Sequence, residues 1–381
     1  MPIIVGVFFL TMQFLLPLMN LRYKASFFEA VSNGNIETVK YLIEKKSVDI
    51  NSQDKEKNSP LISAILKDRT DIVKYLLEKN ADVNNIGGDY DLTALHVAAS
   101  RGNLEIVKIL IEKNADINLK STSNYTPINI AAFCNRLDVV KYLIEKGADV
   151  NVENYSGETP LTRAIFYNQL DVVKYLVDVA GVDIKNEKDR MDLTPLHLAA
   201  IGNRFEIVKY LIEKGADINV KDKYDDTPLH NAAFYGDFAV VKYLVEKGAD
   251  INVKNTFNKT PLFNAVSSDC FDKVKYLFDN GANINIGHSR NEILLGIAKN
   301  IDIFKYLVEE KKLDINEKDT DGRMPLHYAA RSNNIEVIKY LIIKGADLNI
   351  KDNYGMTPIN HTTDKEIKKL LRQAGAKYNF W

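Results

Sequence analysis

The chain has 381 residues, with 50 basic and 51 acidic side chains and a net charge of −1. That balance provides no basic face, so no nucleic-acid partner is expected. Hydrophobic residues make up 46%, enough to core two or three ordinary domains or one long array. The two cysteines, Cys134 and Cys270, are too few and too far apart for a disulfide-stapled secreted module, which favours a reducing compartment.

Residues 1–24, "MPIIVGVFFLTMQFLLPLMNLRYK", form an apolar N-terminal segment with no charged side chain before Arg22. As a helix, about 20 residues span the thickness of a hydrocarbon core. Arg22 and Lys24 on its flank would hold the rest of the chain in the cytoplasm. Residues 1–21 are thus a candidate membrane anchor. The other readings are a cleaved signal peptide exporting the chain, an apolar helix capping the first folded unit, and a segment added by a wrongly assigned start codon.

From residue 25 the chain repeats itself. The first unit is "SFFEAVSNGNIETVKYLIEKKSVDIN"; later units align on Pro60, Ala94, Pro127, Pro160, Pro195, Pro228, Pro261, Pro325 and Pro358. Their gaps are 34, 33, 33, 35, 33, 33, 64 and 33, the long one hiding a divergent ninth unit, and the count is eleven with the last truncated. In "DLTPLHLAAIGNRFEIVKYLIEKGADINVKD", Thr194 caps a helix whose first residue is Pro195, where a missing donor costs nothing. His197, three residues beyond the cap, is placed to reach back to it. Ala199 and Ala200 give a small face for close helix approach. A second, amphipathic helix follows, with Phe205, Val208, Leu211 and Ile212 on one side and Gly215 as its left-handed cap. No such unit buries its apolar face alone, whereas a stack of them does.

The period and the motifs "TPLHLAA", "TPLHNAA", "TALHVAA", "MPLHYAA" and "KGAD" resemble the ankyrin repeat family over residues 25–376, leaving 377–381 as a tail. The resemblance implies an all-α ankyrin-repeat solenoid of helix-turn-helix units with hairpin-like loops. It also implies a protein that grips other proteins through hairpin tips and inner helices. Repeat nine, near residues 287–316, lacks the box and its proline and is expected to be a weak point or bend. "EKKSVDIN", "DVAGVDIK" and "EEKKLDIN" end their helices with an extra residue and without the usual glycine.

Four of six histidines, His96, His197, His230 and His327, share the box position in four repeats, so they read as caps that cannot converge on one metal. His288 and His361 stand isolated in the sequence. No metal-ligand spacing, nucleophile motif, phosphate loop or dinucleotide turn occurs, so no metal, cofactor or catalytic residue is expected. Charge triplets such as Glu206, Lys209 and Glu213 recur at fixed repeat positions and read as a solvated helix face. The tyrosines of "KYL" also recur once per unit and read as structural.

Residues that depart from the period are more telling. Two positions after the first box alanine, on the inner helix, repeats four to seven carry Phe133, Phe166, Ile201 and Phe234, where repeats three, eight and ten carry Ser100, Ser267 and Arg331. Tyr167 and Tyr235 follow, and the hairpin tips add Tyr125, Tyr155, Tyr224 and Phe257. Exposed aromatics are the usual material of a binding hot spot. These side chains, with Lys223, Asp226 and Lys259 for specificity, are the predicted partner-binding residues of a non-catalytic scaffold. The bland alternative is that they pack against neighbouring hairpins. Other readings are a membrane-anchored or secreted interaction protein, and a binding part whose active domain lies elsewhere.

Overall fold

The computed structural model describes residues 21–284 and 293–377. The chain divides into two compact units, Met1–Asp183 and Ile184–Trp381. The first holds five helix pairs: residues 21–33 with Ile36–Lys46, Pro60–Leu66 with Thr70–Glu78, Ala94–Arg101 with Leu104–Glu112, Pro127–Phe133 with Leu137–Glu145, and Pro160–Phe166 with Leu170–Asp178. The second holds six: Pro195–Ile201 with Phe205–Glu213, Pro228–Tyr235 with Phe238–Glu246, Pro261–Ser267 with Phe271–Asp279, Leu294–Ile297 with Ile301–Glu309, Pro325–Arg331 with Ile335–Ile343, and a 3₁₀ turn Pro358–His361 with Lys365–Gln373. Each pair is one repeat, and the architecture is the all-α repeat solenoid expected. Among the described residues the only strands are Ile86–Gly87 and Leu92–Thr93, antiparallel, with Ile86 opposite Thr93.

The helices form for the reasons the repeat announces. Thr159, Thr194 and Thr227 are extended, and the proline after each opens the first helix. Ser59 and Thr260 accept the N–H of Ile62 and Phe263. Within each unit the first helices stack on one another through pairs of buried alanines, such as Ala131 with Ala132 and Ala232 with Ala233. The second helices cover them with Val139, Val140 and Leu143 or Val240, Val241 and Leu244, all essentially inaccessible to water. Each such side chain stabilises the stack by about 1.5–3 kcal/mol.

Gly215 takes φ +82° after its helix, as expected, and Asn80 and Asn114 hold the same place at φ +65°. One expectation needs correcting. In "DVAGVDIK" the glycine is retained one residue further on, Gly181 at φ +72°. Ser47 and Lys312 do its work in the other two irregular repeats, at φ +50° and +60°.

The loops are tied repeat to repeat by asparagines. In the first unit Asn51, Asn84 and Asn118 accept the backbone N–H of Asp82, Asp116 and Asp149 at 2.9, 2.8 and 3.1 Å. In the second, Asn219, Asn252 and Asn316 accept from Asp250, Asn283 and Asp347 at 2.8, 2.8 and 3.1 Å. At the hairpin tips Asp222, Asn255, Asp319 and Asp352 fold the turn by accepting N–H groups two and four residues ahead.

Repeat nine departs from the rest. The second helices of repeats six, seven and eight start 33 residues apart, at Phe205, Phe238 and Phe271, but repeat nine starts 30 later, at Ile301. Three residues are close to one helical turn, and the first helix is correspondingly four residues, Leu294–Ile297, instead of seven. Residues 285–292, including His288, lie outside the described residues, as do residues 1–20 of the candidate anchor and 378–381 of the tail. Among the described residues no helix is long and apolar enough to cross a membrane.

Candidate functional site

The box histidines are the first candidates to resolve. His96 Nδ1 accepts the backbone N–H of Thr93 at 3.2 Å and its hydroxyl at 2.8 Å, closing the cap. Its Nε2–H donates to the carbonyl of Tyr125, in the next hairpin, at 2.9 Å. His197 and His230 repeat the arrangement, reaching Asp226 O at 3.0 Å and Lys259 O at 3.1 Å. His327 accepts from Met324 N–H and reaches Met356 O at 3.3 Å. Each imidazole is therefore a bolt between repeats as well as a cap, and the second bond is one the capping pattern alone does not announce. Burial pushes all four below the ordinary histidine pKa, His230 and His327 to about 4.

The reading of His361 as isolated is corrected. Repeat eleven brings it to His327, their rings 5.3 Å apart, and His327, Asp352 and His361 each place a ligand-type atom within 4.8 Å of the others. These atoms are already committed. His361 Nε2–H donates to Asp352 Oδ2 at 2.8 Å, which lies 3.9 Å from Arg323 Nε. A metal on His327 Nε2 would move its proton to Nδ1, setting donor against donor at Met324 N–H. The cluster is a polar seam between repeats ten and eleven.

The aromatic candidates fall into two sets, one in each unit. In the first unit Phe166 is 49% exposed, with Tyr167 and Tyr155 also on the surface. Phe133 and Tyr125 correct the expectation: both are half-buried. Their rings, with that of Tyr167, surround the Arg163 guanidinium at 4.9, 5.2 and 4.8 Å. Arg163 also pairs with Glu158 at 3.3 Å. The attraction of a cation for ring faces has drawn these two side chains in, so they support the patch more than they form it. Phe133 and Tyr167 meet edge to face at 4.2 Å, Phe166 and Tyr167 at 5.1 Å. Gln169 Nε2 holds the Phe133 carbonyl at 3.3 Å.

In the second unit Phe234 is 42% and Tyr235 61% exposed, their rings 4.7 Å apart. Ile201 is half-buried, a further correction to the exposed series. At the hairpin tips Tyr224 and Phe257 pair at 5.9 Å, and Thr256 N–H donates to Tyr224 O. Lys223 is exposed, and Asp226 is half-buried, where it takes the Asn255 amide at 2.8 Å and burial raises its carboxyl pKa. Lys259 lies with its ammonium 4.6 Å over the Phe263 ring.

Two supporting residues escaped the sequence reading. One is Arg163. The other is Lys273, a buried lysine whose Nζ donates to Ala233 O and Gly236 O at 2.9 Å each, which pins the backbone beneath Phe234 and Tyr235. Burial lowers its pKa. The signal was present: Lys273 occupies the second-helix position held elsewhere by Ile207, Val240 and Ile303.

The tandem helix pairs and their seams define a protein of stacked helical repeats. A family model for ankyrin repeats, three copies to a match, fits residues 12–86, 84–154, 118–188, 153–222, 179–255, 218–288 and 294–380. The chain belongs to the ankyrin-repeat family. Alpha-latrocrustotoxin-Lt1a of Latrodectus tredecimguttatus is 43% identical over 77 residues, 20% of this chain and 5% of the toxin. An ankyrin repeat protein of Rickettsia bellii is 54% identical over 52 residues, 14% of this chain and 31% of its own length. The serine/threonine-protein kinase TNNI3K of Mus musculus is 36% identical over 53 residues, 14% of this chain and 6% of the kinase. The chain thus spans under a third of each of these relatives.

Proposed function

We propose that this chain is a non-catalytic scaffold that binds partner protein through two sets of exposed aromatics, one in repeats four and five and one in repeats six and seven. One observation carries the reading. Phe166 with Tyr167, and Phe234 with Tyr235, remain on the surface at positions where other repeats place serine or arginine, and buried Lys273 fixes the backbone on either side of Phe234 and Tyr235. Burying such rings against a partner releases water from a surface that is already ordered, so little conformational entropy is lost. Tyr155 extends the first set and Tyr224 and Phe257 the second, where Lys223, Asp226 and Lys259 supply charge for selection. A toxin and a kinase share short stretches of this array, which suits a part that recognises more than a part that reacts.

The test is the pair of substitutions Phe166→Ser and Phe234→Ser, assayed by crosslinking and mass spectrometry of the tagged chain in its own cells. Loss of a reproducible crosslinked partner with the urea midpoint unchanged is the expected result. A large drop in stability with the partner retained defeats the proposal. The toxin resemblance and the apolar residues 1–21 favour one second reading, an interaction protein that is secreted or tethered to a membrane. Carbonate extraction of the full chain distinguishes it, since a tethered form stays in the pellet.

A further inference from the structure

The turn missing from repeat nine leaves a notch of about 450 Å³ open to solvent, between Ser267 of repeat eight and the first helix of repeat ten. Its floor is apolar, with Leu295, Ala329 and Val337 among the side chains. Its rim carries Lys299 and Arg331, both exposed, and among the described residues no carboxylate lines it. Gly296 makes room for one wall of the notch. A Cβ there would stand 2.8 Å from Tyr328 Cδ2, so the ring lies directly over the glycine and forms one wall. That ring is anchored, its hydroxyl donating to Asp319 Oδ2 at 2.5 Å. Asn334 Nδ2 fixes the other end by donating to Lys299 O at 2.6 Å.

We infer that this notch is a docking pocket for one aromatic side chain of a partner polypeptide whose neighbouring residues are acidic. The volume falls at the small end of ligand pockets, about 300–1,000 Å³, which suits a single ring more than an extended ligand. The apolar floor and the Tyr328 wall favour an aromatic ring over a polar group. The two cations on the rim attract carboxylates flanking that ring and repel a basic segment. Repeats with a seven-residue first helix fill the place where this space lies, so the notch is a feature of the shortened repeat nine. It is separate from the aromatic pairs of repeats four to seven, and either can fail without the other.

The experiment is selection of short peptides from a random displayed library on the full chain at low salt, followed by fluorescence anisotropy with the synthetic winners. Two variants act at the notch: Lys299→Glu with Arg331→Glu reverses the rim, and Ser332→Trp fills the space from its exposed edge. Aromatic peptides with acidic flanks are expected, their affinity falling at least about tenfold in both variants, as for a buried aromatic anchor, and weakening with added salt. Phe166→Ser with Phe234→Ser should leave that affinity unchanged. Winners that are basic, winners indifferent to both notch variants, or no enrichment over the rim-reversed chain each overturn the inference. Circular dichroism melts of the variants separate a lost site from a lost fold.

Discussion

Repeats four and seven close the same joint with different chemistry. In repeat seven His230 Nδ1 takes the Thr227 N–H and Nε2 reaches Lys259 O at 3.1 Å. In repeat four Asn129 Oδ1 takes the Thr126 N–H at 3.0 Å and Nδ2 reaches Val152 O at 3.5 Å. What the position requires is an acceptor on one side and a donor on the other, held without water. The imidazole meets that need with a longer reach and a better bond, but it brings a proton equilibrium that the amide lacks.

Removing the bolt has the largest expected effect. His230→Ala empties a fully buried site and orphans the Thr227 N–H and the Lys259 carbonyl. A loss of about 2–4 kcal/mol in urea unfolding is expected. A loss near zero would mean that other contacts close the joint.

Replacing the imidazole with the amide isolates its proton equilibrium. The folded pKa of His230 is about 4, below the ordinary 6.5, so the folded chain resists protonation. Its contribution is complete above pH 6.5 and is lost as the pH falls from 6.5 towards 4, on the order of 3 kcal/mol across that window. His230→Asn should cost about 1 kcal/mol at pH 7.5 and reduce, by the share of one of the four buried histidines, the loss of stability measured between pH 6.5 and 4. Stability that still falls as steeply in the variant would move the acid sensitivity to other groups. The reciprocal Asn129→His should import a smaller acid sensitivity into repeat four.

The period made the fold legible from the sequence, because a threonine, a proline and two alanines at one spacing leave few alternatives to a stacked helix pair. The residues that depart from the period were legible by position, and their depth was misjudged. Phe133, Tyr125 and Ile201 break the pattern as Phe166 and Phe234 do, yet they are half-buried. For the two aromatics the cause is Arg163, which no one-dimensional rule places against them. His361 looked solitary because its partner His327 is contributed by the preceding repeat, a neighbour only after stacking. The short interval before Ile301 was visible as an odd gap, but that it opens a notch depends on what lines the space.

The asparagine seam has a wider consequence. Each of Asn51, Asn84, Asn219 and Asn252 accepts a main-chain N–H, a group that every residue but proline possesses. The join therefore does not inspect the side chain of the repeat it meets. Modules joined this way are interchangeable parts. One can be copied, deleted or resurfaced without its neighbours changing to suit, and the lineage of such a chain can lengthen by duplication while its face to the outside diverges module by module.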